Sequence, residues 1–213
     1  MLDAKMPEAW RVLRIQSELV DGIEQLIKLK GAVTVFGGAR FEENSPSYAQ
    51  ARELGELLAN EGVPVITGGG PGVMEGANRG AYEAKGESVG LNITLPREQD
   101  ANPYQSTSLS FRYFFVRKFM FVKNAVGFAI LPGGFGTLDE LFEALTLVQT
   151  HKVEPFPIVL VGRDYWHGLV DWMGSKMVEH GCIDEEELSL FSVVDSAEEA
   201  KDVFIRHIVS RST

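Results

Sequence analysis

Leu131-Pro132-Gly133-Gly134-Phe135-Gly136-Thr137-Leu138-Asp139-Glu140 is the stretch that decides the fold. Ahead of it, Val126 to Leu131 is an unbroken apolar run; behind it, from Leu138 to Val148, apolar residues recur at helical spacing. A strand that feeds a glycine-rich turn and then a helix start is a geometry that binds phosphate. Glycines let the backbone approach a ligand closely, and the first N–H groups of a helix have no partner inside it, so an anion can accept from them with the helix dipole in its favour. Glu140 follows within the next turn. A carboxylate is ill suited to hold a phosphate, so its place beside the cradle points to action on the group the phosphate carries. The same letters also admit a structural reading, because Thr137 and Glu140 spell a T-x-x-E capping box. In isolation capping is the better reading. Against it stand the three glycines Gly133, Gly134 and Gly136 within four residues, and similar turns upstream.

Outward from this turn the chain alternates strand and helix. The pattern predicts strands over Ala32–Phe36, Val63–Thr67, Ser88–Leu95, Val126–Leu131, Phe156–Val161 and Phe191–Val194. Helices are predicted over Ser47–Asn60, Val73–Lys85, Phe111–Asn124, Leu138–Val148, Tyr165–Glu179 and Ala197–Val209, with a loop, a site wall or lid, over Arg97–Ser110. Pro7 opens a further helix to about Lys30, whose stripe of Trp10, Leu13, Leu19, Ile23, Leu26 and Ile27 packs on the domain or on a second subunit. Regular alternation with near-continuously apolar strands implies an α/β, Rossmann-like fold: a parallel sheet with helices on both faces. The whole chain, residues 1–213, reads as a single domain, with 1–30 a helical extension. Ligands of such sheets bind beyond the C-terminal strand ends. Turns at Gly37-Gly38, at Gly68 to Gly72, and at Gly133 all fall there and point to one crevice.

A net charge of −10 argues against nucleic acid as a partner, since an acidic surface repels a phosphate backbone, although a small anion can still bind locally. The single cysteine, Cys182, excludes an intramolecular disulfide and a cysteine-based zinc cluster and fits a reducing compartment. The first residues carry charge and no long apolar run, so neither a signal peptide nor a membrane span is read there, and the expected location is cytoplasmic. His151, His167, His180 and His207 are scattered without metal-ligand spacing; no metal is expected.

The chain has no Walker G-x-x-x-x-G-K-[ST] string, and G-x-G-x-x-G is not met at any of the glycine turns, which disfavours a kinase or an ordinary NAD oxidoreductase. A monophosphate needs fewer donors. Basic residues gather in Arg112 to Met120, where Tyr113, Arg117 and Met120 share a helix face. Two readings of Arg117 stand at this point: a grip on phosphate or sugar hydroxyl, flanked by ring and thioether, or a surface charge on an apolar core helix.

Gly68-Gly69-Gly70-Pro71-Gly72-Val73-Met74-Glu75, the Arg117-Lys118 pair, and Pro132 to Glu140 together resemble the LOG ("Lonely guy") family, often labelled "possible lysine decarboxylase". The similarity runs from about Ala32 to the helix after Tyr165. It implies a Rossmann-like phosphoribohydrolase that cleaves cytokinin riboside 5′-monophosphates, and often AMP, to free base and ribose 5-phosphate without a cofactor. It also implies a homo-oligomer, a dimer or higher. On this resemblance Arg117 and Glu140 match the family's catalytic arginine and glutamate. Lys118, Gly133, Gly134, Gly136 and Thr137 match nucleotide-contacting positions, and Glu98 and Thr146 two more; Gly37, Gly38, Gly69, Gly70 and Gly72 are read as substrate-binding from the glycine turns themselves. The chain departs from many members in having Phe114 where they carry methionine, and Gly37-Gly38-Ala39-Arg40 where they carry a serine-containing turn.

The decarboxylase label meets a chemical objection, because pyridoxal chemistry needs a Schiff-base lysine, and Lys118, the one lysine expected in the crevice, has no mark of desolvation. The expected mechanism is hydrolysis of an N-glycosidic bond through an oxocarbenium-like transition state, with Glu140 at the anomeric carbon and Arg117 on the ribose phosphate. The rival is a non-catalytic nucleotide carrier or sensor on the same fold, with Glu140 a helix cap; a glycosyl transferase is a third reading.

Overall fold

The computed structural model describes residues 7–29, 31–95 and 100–211. Seven strands form one sheet: β1 (Ala32–Phe36), β2 (Val65–Thr67), β3 (Ser88–Ile93), β4 (Thr107–Phe111), β5 (Ala125–Ile130), β6 (Ile158–Val161) and β7 (Phe191–Val194). Their order is β4-β3-β2-β1-β5-β6-β7, and every neighbouring pair is parallel. The chain therefore winds outward from β1 to one edge, crosses back, and winds outward from β5 to the other. That reversal opens a gap between β1 and β5 at their C-terminal ends, where open α/β sheets hold their ligands.

Helices cover both faces. On one lie α1 (Glu8–Leu26), α4 (Phe114–Lys123), α5 (Phe135–Gln149) and α6 (Arg163–Trp172), burying Leu26, Met120, Phe121, Leu141 and Trp166 against Ile66, Leu91, Phe128 and Ile130. On the other lie α2 (Pro46–Asn60), α3 (Val73–Glu83) and α7 (Ala197–Arg211), burying Leu54, Ala77 and Phe204 against Val33, Val35 and Val159. Successive strand residues face opposite sides, so a sheet covered on both must be apolar throughout. β1, β2 and β6 are buried at every position.

Four elements differ from expectation. Thr107–Phe111, expected as the end of a loop and the first residue of a helix, forms β4, an edge strand in register with β3 from Val89↔Thr107 to Ile93↔Phe111. Its serines and threonine mask a period of two in which Leu109 and Phe111 are buried. Because those residues are strand, α4 starts at Phe114 without a side-chain cap, and the chain leading into it is held by the Glu18 carboxylate of α1, which accepts from the N–H groups of Arg112 and Tyr113. The predicted helix Tyr165–Glu179 is α-helical only over Arg163–Trp172 and widens to i→i+5 turns over Met173–Val178. In α1 the expected apolar stripe divides. Leu19, Ile23 and Leu26 pack inward, whereas Trp10, Leu13 and Ile27 are exposed.

Candidate active site

Three glycine turns are tied together at the β1/β5 gap. The Gly38 N–H donates to the Pro132 carbonyl at 2.9 Å, and the Val73 N–H donates to the Gly38 carbonyl at 3.1 Å. Two of the glycines are required by space. At Gly72, φ is +69° and any side chain would run into the Gly38 carbonyl and Ala39; at Gly133 a Cβ would collide with the Thr137 hydroxyl and sit 2.9 Å from the Gly38 nitrogen. The result is a crevice of about 810 Å³ whose floor is Gly37, Gly38, Gly68 and Gly70 on one side and Gly133, Gly134 and Gly136 on the other.

α5 begins at Phe135, with Gly134 as its N-cap and no side-chain cap. The structural reading of T-x-x-E therefore falls: Thr137 and Glu140 lie inside the helix, three residues later than a capping box requires. Both line the crevice, each only 5% exposed. Burial pushes the Glu140 carboxyl up to about 7, with Glu143 adding to the rise and the positive charges of Lys118 and Arg117 opposing it. A carboxyl poised near neutrality on a cavity wall can take up or release a proton at physiological pH.

Arg117 enters from α4 and lines the same crevice. Its guanidinium lies over the Phe114 ring at 5.3 Å and the Phe121 ring at 5.4 Å, and its Nη1 donates to the Leu91 carbonyl at 3.4 Å. Its Nε is buried with no hydrogen-bond partner among the described residues. A buried, unpaired donor on a cation calls for an acceptor, and an anionic ligand supplies one. Burial lowers the Arg117 pKa, an effect opposed by Glu140 and Asp139. Of the two expected flanks, Met120 faces elsewhere. Met120 is fully buried and packs under α1 at Gly22, and the thioether on the crevice wall is that of Met74.

Lys118 points elsewhere. It bridges Asp139 at 3.0 Å and Glu143 at 2.5 Å, and it does not line the crevice. Burial would lower its pKa, but the hydrogen bonds to Glu143 and Asp139 prevail and hold it above the ordinary value. Its charge bears on Glu140 from behind. Gly69 and Gly72 are likewise behind the wall: the Gly69 carbonyl accepts from the Asn102 N–H and the Gln105 side chain, and the Gly70 carbonyl accepts from the Asn102 amide. Thr146 needs correction as a contact. It is exposed two turns further along α5, where its hydroxyl donates to the Phe142 carbonyl. Glu98 lies outside the described residues. Sequence reasoning missed Asn102 and Tyr165, whose roles are long-range and leave no local signature; Tyr165 lines the crevice and donates to the Gly133 carbonyl at 2.7 Å.

The family described as "Possible lysine decarboxylase" matches residues 74–204, more than half of the chain. The chain belongs to this family, the LOG family. Among its LOG relatives, the cytokinin riboside 5′-monophosphate phosphoribohydrolase of Mycobacterium tuberculosis is 32% identical over 169 residues, 73% of this chain and 86% of that protein. The pyrimidine/purine nucleotide 5′-monophosphate nucleosidase of Escherichia coli K12 is 30% identical over 162 residues, 70% of this chain but only 35% of that protein. The molybdenum cofactor carrier protein of Chlamydomonas reinhardtii superimposes with a TM-score of 0.61 at 23% identity, over 84% of this chain and 99% of that one; at that identity the likeness shows the fold. Among the described residues no lysine lines this crevice, and Lys118 is bridged to Asp139 and Glu143.

Proposed function

We propose that this LOG-family chain is a hydrolase of nucleoside 5′-monophosphates, cleaving AMP or cytokinin riboside 5′-monophosphates to free base and ribose 5-phosphate. The observation that carries the reading is the buried Glu140 carboxyl, pushed up to about 7, on the wall of a crevice that also holds Arg117 and the open amides of α5. The names of the relatives support the substrate class.

The phosphate rests at the mouth of α5, on the first backbone N–H groups of Gly134, Phe135 and Gly136, with Arg117 supplying the balancing charge. Remote binding energy thereby holds the sugar in place. As the C1′–N bond lengthens, its electron pair moves to the base and positive charge gathers on C1′ and the ring oxygen. The ionised Glu140 faces that charge and accepts a proton from the water whose oxygen bonds to C1′. The departing base takes up that proton from Glu140, directly or through solvent, which restores the carboxylate and leaves ribose 5-phosphate. Met74, Ile93, Leu95 and Phe121 give the crevice an apolar side suited to a flat base. Exposed Phe115 and Phe119 on α4, with Trp10 on α1, support a homo-oligomer, which light scattering coupled to size exclusion would read.

Incubation with AMP, followed by chromatography for adenine and ribose 5-phosphate, tests the activity. Melting stabilised by AMP with no adenine released would overturn it in favour of a carrier.

A further inference from the structure

The geometry points to Tyr165 as a positioning residue that aims the anion-binding turn, an inference that rests on the proposed function. Tyr165 belongs to α6, an element of no expected role in the site, and it reaches across to donate its hydroxyl proton to the Gly133 carbonyl at 2.7 Å. It is held for this task at its base. α6 starts directly after β6 at Gly162, where φ is +96°; the Tyr165 N–H donates to the Gly162 carbonyl, and the ring packs edge-on against Trp166 at 4.8 Å, itself buried.

The consequence follows from peptide geometry. All the peptides described are trans, and in a trans peptide the carbonyl of one residue and the N–H of the next point in opposite directions. Fixing the Gly133 carbonyl toward Tyr165 therefore fixes the Gly134 N–H on the opposite side. Gly134 is the N-cap of α5, and its amide is the first donor of the helix mouth. The preceding carbonyl, that of Pro132, is fixed by the Gly38 N–H, so the turn is pinned at consecutive carbonyls by two separate elements. Gly134 and Gly136 have nothing within 4 Å of where a side chain would stand, so neither glycine is restrained by packing of its own. The Tyr165 hydroxyl is a restraint that substitution can remove cleanly, because the residue is half-exposed and its hydroxyl contributes nothing to the core.

The test is Tyr165→Phe, read without catalysis. Calorimetric titration with ribose 5-phosphate should show affinity about five- to tenfold weaker, the loss of one neutral hydrogen bond's worth of preorganisation. Affinity for adenosine, which lacks the phosphate, should stay the same. In the ligand-free protein the Gly134 amide resonance should shift, which a direct contact between Tyr165 and the phosphate would not produce. With AMP the variant should raise KM and leave kcat within about twofold. Unchanged ribose 5-phosphate binding, an unshifted Gly134 resonance, or an equal loss for adenosine would each overturn the assignment. Wild-type protein that binds ribose 5-phosphate but releases no adenine from AMP would sink the proposed activity while leaving the Tyr165 assignment open to the same binding and resonance measurements.

Discussion

Glu140→Gln should cost activity and add stability, and the added stability should depend on pH in the way that a carboxyl raised by burial produces. Burial raises the carboxyl from 4.5 to about 7, a displacement of about 2.5 on the pH scale. Each step of one is worth about 1.36 kcal/mol, so ionising Glu140 in the folded protein at alkaline pH costs roughly 3 kcal/mol relative to the unfolded chain. Between pH 4.5 and 7 the native state keeps the proton that the unfolded chain has released. The native state binds more protons in that window, so stability falls as pH rises through it, and above pH 7 the loss is complete. Glutamine mimics the protonated acid at every pH and escapes the loss. Thermal melts of both proteins at pH 5 and pH 8 should therefore nearly coincide at the lower pH. At the higher pH the variant should melt about 5–10 °C above wild type for a chain of this size. Base release from AMP should fall by at least ~10² across the range. A helix-capping or ion-paired Glu140 predicts the opposite sign, with the variant less stable at pH 8. That outcome, or a difference independent of pH, would refute the reasoning.

Other perturbations test the surroundings of the same carboxyl. Lys118→Met removes the largest charge holding the Glu140 pKa down, so the rising limb of kcat/KM against pH should move from about 7 to more alkaline values. Arg117→Met should move the limb in the same direction by a smaller amount, and should also weaken ribose 5-phosphate binding by at least ~10-fold in calorimetry. Gly133→Ala sets a methyl against the Thr137 hydroxyl and the Gly38 backbone; displacement of the turn should abolish measurable AMP binding while circular dichroism remains that of the native fold.

How far the sequence carried depends on whether a feature is local. The turns after β1, β2 and β5 were legible because an apolar run followed by glycines encodes both the strand end and the close approach within a few residues; Phe36 and Thr67 end strands directly before Gly37 and Gly68, and Ile130 ends one just ahead of Leu131-Pro132-Gly133. β4 was not, because an edge strand half open to solvent can be built from Thr107, Ser108 and Ser110, the same residues a loop uses. The surroundings of Arg117 were only partly legible. Spacing alone placed Tyr113 and Met120 on its face, but the position of α1 over Met120 and of the β1/β5 gap beside Phe121 decides which neighbours matter, and both are tertiary facts. Thr146 fell for the same reason: alignment along a helix does not say which turn still overlooks the crevice.

The proposed function requires an acidic protein to hold an anion beside a carboxylate, and the electrostatics of the site bear on that requirement. Carrying −10 overall, the chain offers no long-range attraction to a phosphate. Binding must rest on short-range donors, which the amides at the mouth of α5 and the unpaired Arg117 Nε provide. A bound phosphate would by itself drive the Glu140 pKa higher still and keep the acid protonated when the mechanism needs it ionised. Arg117, lowered by burial and supported by Glu140, counters both negative charges, and Lys118 adds a further positive charge from outside the crevice. On the proposed function, the ion pairs that commit Lys118 to Asp139 and Glu143 act on the site without touching the ligand. Removing them should be felt as a shift in the pH dependence of the reaction before it is felt as a loss of binding.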